Sequence, residues 1–556
     1  MRGLGVVSKL LPGSRRRQRT SVRKPTWSRL ELEPLEERAL LSANVLQTNL
    51  VSDLPGVAQV QDPHLVNPWG IAQGNGGPFW TSDNNAGVAT LFNAPAANNT
   101  PFSINPLVVN IPTPVSLTGG TPTGAVRNNG GIGFQITGPN QAGQTTSASA
   151  VFLFATEDGT IVAWNPGIDP TGKFAGPNAQ STQAVIAVDN SGNNFTNPDP
   201  LQQTGAVYKG LSLATSATPI FASDPNTTSV LYVTNFRSGQ IEVYNSNFQR
   251  VNLPAGAFAD PNLPAGFAPF NVQVLNGKVY VTYALQDAAK HDDVGGQGNG
   301  FIDVFNLDGT PGVPGSQERL VSRGPLDSPW GLAIAPSGFG SLGGDLLVGN
   351  QESGFIDIYN PTTGQFLGNL TDSDGEPIQI DRLWALNFGG GGAGGDPNTL
   401  FFTAGIDKEL HGLFGSLTAV APGTPEGPAE AQKVVAARDV VQLDRAKLTS
   451  DISSGAPQST IDQDRQTLNT DFAALTLAEQ QFAQDSSHDQ PANDKGASSG
   501  WSESARNAVF ADLASLDMTG SGPDQRLAAR PAPGARHTAA RQDIDQLFAA
   551  GWDFDL

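Results

Sequence analysis

The sequence predicts an all-β protein, a six-bladed β-propeller, followed by a mostly α-helical and partly disordered C-terminal tail. Two repeated phrases predict the propeller. Gly-Phe-Ile-Asp-Val-Phe-Asn at 300–306 returns as Gly-Phe-Ile-Asp-Ile-Tyr-Asn at 354–360, and Pro-Trp-Gly-Ile-Ala at 68–72 returns as Pro-Trp-Gly-Leu-Ala at 329–333. Self-similarity at intervals of tens of residues is typical of repeat architectures. Abundant Gly and Pro, 64 and 41 of 556 residues, supply the turns that short strands need.

Each repeat contains three clear candidate strands, because short apolar, β-branched runs are separated by Asn/Gly turns. The first strand is the Pro-Trp-Gly phrase, and the third is the Gly-x-Ile phrase, which has weaker copies at 87–93, 159–165 and 239–245. Second strands are predicted at 79–83, 152–156, 231–235, 279–283, 346–350 and 400–404. A fourth strand is less distinct, as in 365–370. Six such units in a ring form a six-bladed propeller.

The ring is expected to close through Asn49-Leu50-Val51-Ser52, which would supply the outer strand of the last blade. Closure of this kind removes exposed sheet edges. Two Gly/Asn/Thr-rich stretches, 117–147 and 166–204, are predicted as loops. A pair of β-sandwiches or a parallel β-helix is the main alternative, and a count of five or seven blades stays open.

Composition excludes several classes of function. The net charge of −20 disfavours phosphate-backbone contacts, so nucleic acid is not an expected partner of the main body. The absence of Cys excludes disulfides, thiol catalysis and Cys-ligated zinc. No run of 18 apolar residues predicts a transmembrane helix.

Residues 1–44 form a basic leader without the apolar segment of a standard secretory signal. It ends in a short motif whose defining residues are Leu32, Glu33, Leu35, Glu36, Arg38, Leu40, Leu41, Ser42 and Ala43. This motif resembles the N-terminal sorting motif of planctomycete extracellular proteins. The resemblance implies export or cell-surface sorting, and the alternative is a disordered basic tail that ends in a short amphipathic helix.

The propeller is expected to span 45–422. The segments 49–53, 62–72 and 78–84, together with Trp330-Gly331-Leu332 and 354–357, resemble an uncharacterised bacterial family of predicted secreted propellers. More distantly, the chain is similar to NHL-type and gluconolactonase-like six-bladed propellers. The resemblance implies an extracellular or cell-surface protein and carries no reaction.

The composition changes after residue 423, where Ala, Gln, Asp and Leu replace Gly and aromatic residues. A linker and an antiparallel helical hairpin are predicted over 423–485. Apolar residues recur every seven positions, at Val434, Val441 and Leu448 and again at Ile461, Leu468, Leu475 and Phe482. Residues 486–556 are predicted to be partly disordered with short helices. The hairpin is either a spacer or a means of attachment or self-association.

Candidate ligand-binding residues lie where second strands end, because these loops open on one face of a propeller around the central opening. These candidates are His64, Asp83, Glu157, Asn235, Arg237, His291, Asn350, Glu352 and Asp407. A long charged loop at 286–299 adds Asp292 and Asp293.

Four of these residues stand at equivalent blade positions and carry side-chain oxygens, the ligands that calcium prefers: Glu157, Asn235, Asn350 and Asp407. They predict a divalent-cation site, as gluconolactonase-like propellers have. Asn and Asp are also the residues that tight turns select, so the turn interpretation stands beside it. No other cofactor is predicted.

The leading hypothesis is an exported or cell-surface propeller that acts as a binding or structural module for a surface or matrix component. The first alternative is an extracellular metal-dependent hydrolase or lactonase-like enzyme with its site at the propeller mouth. The second is a carbohydrate- or matrix-binding module. No strong catalytic motif names a reaction.

Overall fold

The computed structural model describes residues 44–420, apart from 75, 95–101, 176–177, 193–195, 198, 316 and 373–374, and scattered positions between 440 and 475. Contacts divide the chain into two units, Met1–Thr424 and Pro425–Leu556. The leader with its sorting motif and most of the predicted C-terminal helices lie outside the described residues. In the second unit the described positions are helical except Pro457, which is too few to test the hairpin.

The first unit is a six-bladed β-propeller, as predicted. Its sheets, each given from the innermost strand outward, are blade 1 (Pro68–Gln73, Phe79–Asp83, Val88–Asn93, Ser103–Asn110), blade 2 (Pro122–Arg127, Phe152–Thr156, Thr160–Trp164, Val185–Asp189), blade 3 (Tyr208–Thr215, Ser229–Asn235, Gln240–Asn245), blade 4 (Phe267–Leu275, Lys278–Leu285, Gly300–Phe305, Arg319–Ser322), blade 5 (Pro329–Ile334, Leu346–Asn350, Ile356–Tyr359, Phe366–Asn369) and blade 6 (Leu383–Phe388, Thr399–Ala404, Leu413–Ala419, Val45–Ser52, Val60–Gln61). Neighbouring innermost strands contact one another around the ring, and the sixth contacts the first.

Small elements are inserted between the blades. They are the strand pairs Pro112–Thr113 with Ser116–Gly119, Gln135–Pro139 with Thr145–Ser149, and Phe174–Ala175 with Gln180–Ser181, and the 3-10 helices Pro200–Gln202 and Gly340–Leu342. Among the described residues, none of the helices has both the length and the apolar character needed to cross a bilayer.

The ring closes as the sequence predicts. Val45–Ser52 pairs antiparallel with Leu413–Ala419, so the N-terminal strand completes blade 6. Beyond it, Asp53 accepts hydrogen bonds from the Gly412 amide (2.8 Å) and lies 2.7 Å from Nδ1 of His411. These contacts join two ends of the domain that are far apart in sequence, and the sheet is left without the open edge that an unclosed ring would present.

Two predictions about the blades were wrong. The stretches 117–147 and 166–204 are not simply loops, because the first contains the innermost strand of blade 2 and a hairpin, and the second contains the outermost strand of that blade, Val185–Asp189. In Pro122-Thr123-Gly124 a threonine stands where the recognised copies have tryptophan, which hid the Pro-x-Gly pattern. Blade 3 has three strands in the described part of the chain instead of four.

The innermost strands share one irregularity, since each skips two residues in its pairing with the second strand. The skipped pairs are Trp69-Gly70, Thr123-Gly124, Lys209-Gly210, Phe270-Asn271, Trp330-Gly331 and Trp384-Ala385. The second residue of the pair lies against the next blade. A Cβ on Gly124 would stand 2.5 Å from the Leu211 amide nitrogen, so only glycine fits that close approach.

The first residues of these pairs converge on the propeller axis. The Trp69 and Trp384 rings stack with centroids 3.6 Å apart, and Trp330 meets Trp69 edge-on at 5.3 Å. Phe270 packs against Trp330 at 4.9 Å. All of these side chains are buried. At this level the centre of the propeller is an aromatic core, which gives the space above it a floor.

Candidate ligand-binding site at the channel mouth

The mouth of the propeller is formed by two sets of connections on one face. The loops from second to third strands end there, and so do the connections that lead into the innermost strands, because strand direction alternates within each blade. Asn67 precedes blade 1 and donates to Asn85 in the loop of that blade, 3.4 Å away, which confirms that both sets of connections meet.

Lys209 is the centre of the site. It occupies the position on the blade 3 inner strand where blades 1, 5 and 6 have tryptophan, and its side chain is fully buried. The ammonium group binds Glu157 Oε1 and lies 3.4 Å from Asp292 Oδ1. It also stands 4.6 Å from the centre of the Trp69 ring, a cation–π distance. Lys209 therefore joins the aromatic floor to carboxylates from blades 2 and 4.

The charges around Lys209 stabilise one another's ionised forms. Burial alone would lower the pKa of its ammonium, but Glu157 and Asp292 outweigh burial and raise it above the ordinary value. Burial also acts to raise the pKa of Asp292, yet its hydrogen bond with His291 and the charge of Lys209 bring it below the usual range. The ammonium and the Asp292 carboxylate are consequently both ionised at neutral pH.

A second group of side chains lies across the mouth. Gln351 Nε2 donates to Glu409 Oε1 at 2.8 Å, which connects blades 5 and 6. Arg382 pairs with Glu352. We call the whole arrangement the cup, and its members are Glu157, Lys209, Asp292, Asp293, Ser328, Gln351, Glu352, Arg382 and Glu409.

Two carboxyl groups of the cup have strongly raised pKa values. Burial raises the pKa of Asp293 to about 6, although the facing Ser328 hydroxyl and Lys209 act in the opposite direction. Burial also raises the pKa of Glu409 to about 7, against the lowering influence of Arg382. Within the described residues no salt bridge reaches either carboxyl. Both change charge near neutral pH, as carboxyls at ligand and catalytic sites often do.

The cup leaves buried polar atoms without hydrogen-bond partners. Gln351 Oε1, Ser328 Oγ and Asp293 Oδ2 are such atoms, and so is Nε1 of Trp69 in the floor. Gln351 and Ser328 are 1% and 0% exposed. The Ser328 hydroxyl faces Asp293, but the geometry falls short of a hydrogen bond. Buried polar groups are nearly always paired, so a cluster of unpaired ones is unusual and points to a missing partner.

The backbone of the mouth is also strained. Asp407, Lys408 and Glu409 have successive φ angles of 52°, 55° and 70°, in the left-handed region that residues with side chains rarely occupy. Ser328 and Arg382, which precede innermost strands, have φ of 49°. Such conformations persist only where the surroundings impose them, and they cluster at binding and catalytic sites.

The structure brings some of the predicted site residues together. Glu157, His291 and Asp292 offer ligand atoms that all lie within 4.8 Å of one another. His291 Nδ1 is 2.8 Å from Asp292 Oδ1, and this contact raises the pKa of the imidazole although burial acts to lower it. Glu352 lies at the rim beside Arg382.

Other predicted residues serve their own blades. Asn235 donates to Glu242 at 2.9 Å and accepts from the Ser238 amide, and Asn350 donates to Asp357 at 3.0 Å and accepts from the Asp327 amide. Both atoms of each amide group are therefore engaged beside their own turns.

The remaining predicted residues lie outside the cup. The Asp407 amide donates to Asp381, 2.8 Å away. His64 contacts Asp62 and is half exposed. Arg237 donates to the Gly205 carbonyl at 2.9 Å. Asp83 is fully buried and accepts from Thr90 at 2.7 Å, and burial raises its pKa well above the usual range.

Sequence reasoning missed Lys209, Glu409, Arg382 and Ser328. One signal was available for Lys209. Tyr208-Lys209-Gly210-Leu211 aligns with Pro68-Trp69-Gly70-Ile71, and a charged residue at an otherwise aromatic repeat position is conspicuous. Glu409 carried no such signal, because its approach to Gln351 depends on the left-handed turn that precedes it.

Comparison with known proteins identifies relatives of the chain. An uncharacterised protein of Acanthamoeba polyphaga mimivirus is 31% identical over 372 residues, which cover 66% of this chain and 78% of the relative. A second uncharacterised protein of that virus is 30% identical over 373 residues, 66% of this chain and 84% of the relative. The chain belongs to the family of these two viral proteins. No family model matches the chain.

Solved structures resemble this family member only distantly. An α-L-arabinofuranosidase from Fusarium graminearum is 11% identical, with 68% of this chain and 98% of that chain covered and a TM-score of 0.37. A putative gluconolactonase is 14% identical, with 53% and 92% covered and a TM-score of 0.27. A chain of a nidogen/laminin complex is 13% identical, with 58% of this chain and 84% of that chain covered and a TM-score of 0.30. Likeness at this level carries no functional argument.

Proposed function

We propose that this protein is an exported propeller that acts as a binding module, with its ligand held in the cup. The observation that carries the proposal is the set of buried, unpaired polar atoms at the mouth. Leaving one buried polar group unpaired costs about 1–3 kcal/mol, so a fold that retains several in one place does so for a partner outside the chain.

Export to the cell surface is part of the same proposal. It is supported by the resemblance of residues 32–43 to a sorting motif. Fractionation of cells that produce the full chain tests it. Deletion of 32–43 is expected to move the protein from the surface fraction to the cell interior, and an unchanged distribution would contradict sorting by this motif.

The second candidate is a metal-dependent hydrolase, favoured by the closeness of Glu157, His291 and Asp292. The position of Lys209 argues against it. Its ammonium group already contacts both carboxylates that a divalent ion would need. Like charges in a buried site repel, so a metal ion there would have to displace or deprotonate a lysine whose pKa is raised. An internal cation replaces the metal in this interpretation.

Carbohydrate stacking on the floor receives less support. The Trp69, Trp330 and Trp384 side chains are 4%, 2% and 1% exposed, because their faces are used against one another and against Lys209. A sugar could still use the unpaired polar atoms, since it offers both donors and acceptors. Carbohydrate is therefore one of the ligand classes included among the probes.

Thermal unfolding of the full chain with four probes tests the proposal. The probes are maltohexaose, polyglutamate, calcium chloride and a basic peptide. A bound probe at tenfold excess over its Kd is expected to raise the Tm by about 2 °C. The variant Asp293→Asn/Glu409→Gln is expected to lose that shift.

The matched control is Asp224→Asn/Asp396→Asn, which also removes two carboxyl groups but from turns on the opposite face. This control should keep the full shift. The proposal fails if no probe stabilises the wild-type chain, or if the cup variant responds as the wild type does. Calcium as the stabilising probe would favour the hydrolase instead.

A further inference from the structure

The cup carries more negative than positive charge. Its carboxyl groups are those of Glu157, Asp292, Asp293, Glu352 and Glu409. Within the cup only Lys209 and Arg382 are permanent cations, and they pair with Glu157, Asp292 and Glu352. Asp293 and Glu409 are left over. The cup as a whole is therefore suited to a ligand that brings positive charge.

The unpaired atoms in the cup specify hydrogen-bond donors. Gln351 Oε1 is an acceptor without a donor, and Asp293 Oδ2 forms no hydrogen bond although the Ser328 hydroxyl faces that carboxyl. Gln351 is only 1% exposed. Its amide group is fixed in the cup because Nε2 donates a hydrogen bond to Glu409. An ammonium or guanidinium group supplies several N–H donors together with the missing charge.

Exposed aliphatic residues adjoin in sequence the two carboxyl residues that have no salt bridge. Val294 follows Asp293 and is 40% exposed, and Leu410 follows Glu409 and is 61% exposed. Val115, Leu117 and Leu201 are further exposed apolar residues on connections of the same face. A hydrated metal ion would make no use of such a rim. A cation attached to an apolar chain would cover it.

We infer that the cup receives a lysine or arginine side chain of a partner peptide, whose aliphatic neighbours rest on Val294 and Leu410. This inference rests on the proposed function and names its ligand class. The charged head replaces the missing donors at Asp293 and Gln351, and the stem and flanking side chains remove the exposed rim from water.

Binding of this kind depends on pH. Glu409 is faced by Arg382, Glu157, Lys209 and Asp293, and Asp293 is faced by Ser328, Lys209 and Glu352. A bound cation favours the ionised form of both carboxyls, so binding displaces their protons. Affinity is expected to rise about tenfold from pH 5.5 to pH 8, with little change above pH 8.

Isothermal titration of the full chain with the capped peptide acetyl-Leu-Lys-Leu-Lys-Leu-amide tests the inference. Asp293→Asn/Glu409→Gln is expected to weaken binding at least about tenfold at pH 7.5. Val294→Ser/Leu410→Ser should weaken it by about threefold to tenfold. The control Ile132→Ser/Phe366→Ser, which removes exposed apolar residues from the opposite face, should bind as the wild type does.

Two peptide controls separate charge from shape. Acetylated lysines remove the positive charge and should abolish binding, and serine in place of leucine should weaken it. The inference is overturned if the acetylated peptide binds equally well, or if the cup variant keeps its affinity. It is also overturned if the peptide binds only after residues 1–43 are removed, which would assign the cup to the leader, or if the cup variant abolishes a self-association of the wild type. Binding of maltohexaose alone would overturn this ligand class and leave the proposed function standing.

Discussion

Two buried polar clusters of the propeller differ in how completely they are paired. In blade 3, Glu242 accepts hydrogen bonds from the hydroxyls of Tyr208 and Tyr244 at 2.8 and 2.7 Å and from the amide of Asn235 at 2.9 Å. Arg250 stands 3.5 Å away. In the cup, by contrast, Gln351, Asp293 and Ser328 retain atoms without partners.

Unpaired buried atoms also occur elsewhere among the described residues, for example at Asp303 and Asn128, so the contrast concerns these two clusters alone. Around Glu242 even the second layer is complete, because Asn190 donates to both tyrosine hydroxyls at 2.6 and 2.8 Å. Burial raises the pKa of both tyrosines, so they stay neutral donors. The fold can satisfy a buried carboxylate where the role is structural. In the cup it leaves polar atoms unpaired, and the proposed ligand would supply donors for those of Asp293 and Gln351.

The largest expected effect on stability comes from breaking the fully paired cluster around Glu242. Glu242→Ala leaves two tyrosine hydroxyls, an amide and Arg250 without their shared acceptor. We expect a loss of about 3–5 kcal/mol in the free energy of unfolding. Urea unfolding followed by far-ultraviolet circular dichroism measures it. A loss below about 1 kcal/mol would mean that this cluster contributes no more than surface polar groups do.

Removal of the internal cation should have the next largest effect. Lys209→Met strands Glu157 and Asp292 beside an aromatic floor, and we expect a loss of about 2–4 kcal/mol at pH 7.5. Lys209→Met/Glu157→Gln should recover about half of that loss, because it removes one of the stranded charges. Equal stability of the single and double variants would contradict the pairing of Lys209 with Glu157.

A smaller effect, of opposite sign, is expected from Glu409. Its pKa is about 7 in the folded protein against an ordinary 4.5, so ionisation opposes folding. The folded state binds the proton more tightly, and stability is therefore lost as pH rises from about 4.5 to 7 and stays lost above that. Glu409→Gln removes this penalty. We expect the variant to gain about 1–3 kcal/mol over the wild type at pH 8 and almost nothing at pH 4.5.

The smallest effect on stability belongs to the rim. Leu410→Ser changes an exposed side chain and should alter the unfolding free energy by less than about 0.5 kcal/mol. Thermal and urea unfolding should not distinguish it from the wild type. A destabilisation above about 1 kcal/mol would show that Leu410 packs against the propeller and is not free for a ligand.

The sequence predicted the blade count and the closing strand because both depend on local patterns. Alternation and turn residues recur in every blade, and Val45–Ser52 supplies the outer strand of blade 6 as expected. The Pro122 strand was missed because threonine replaced the aromatic residue that marked other copies. Repeats are found by their similarities, so a divergent copy is the one most easily lost.

The cup was harder to predict, because its members come from five blades. Glu157, His291 and Glu352 lie at the mouth, as expected for loops after second strands, and their role in ligand binding stays a prediction. The calcium set extended this rule to Asn235 and Asn350, whose amides instead bind acidic side chains on the neighbouring strand of their own blades. Sequence position predicts at which end of a strand a residue lies, but it does not predict which group the side chain contacts.

The central claim is that the mouth keeps its unpaired atoms for a ligand at the expense of stability. The direct test is the unfolding free energy of Ser328→Ala/Gln351→Leu, measured at pH 5, where Glu409 is protonated, beside peptide binding by the same variant. We expect the variant to be as stable as the wild type or more stable by up to about 2 kcal/mol, while binding is lost. A loss of stability above about 1 kcal/mol with binding unchanged would contradict the claim.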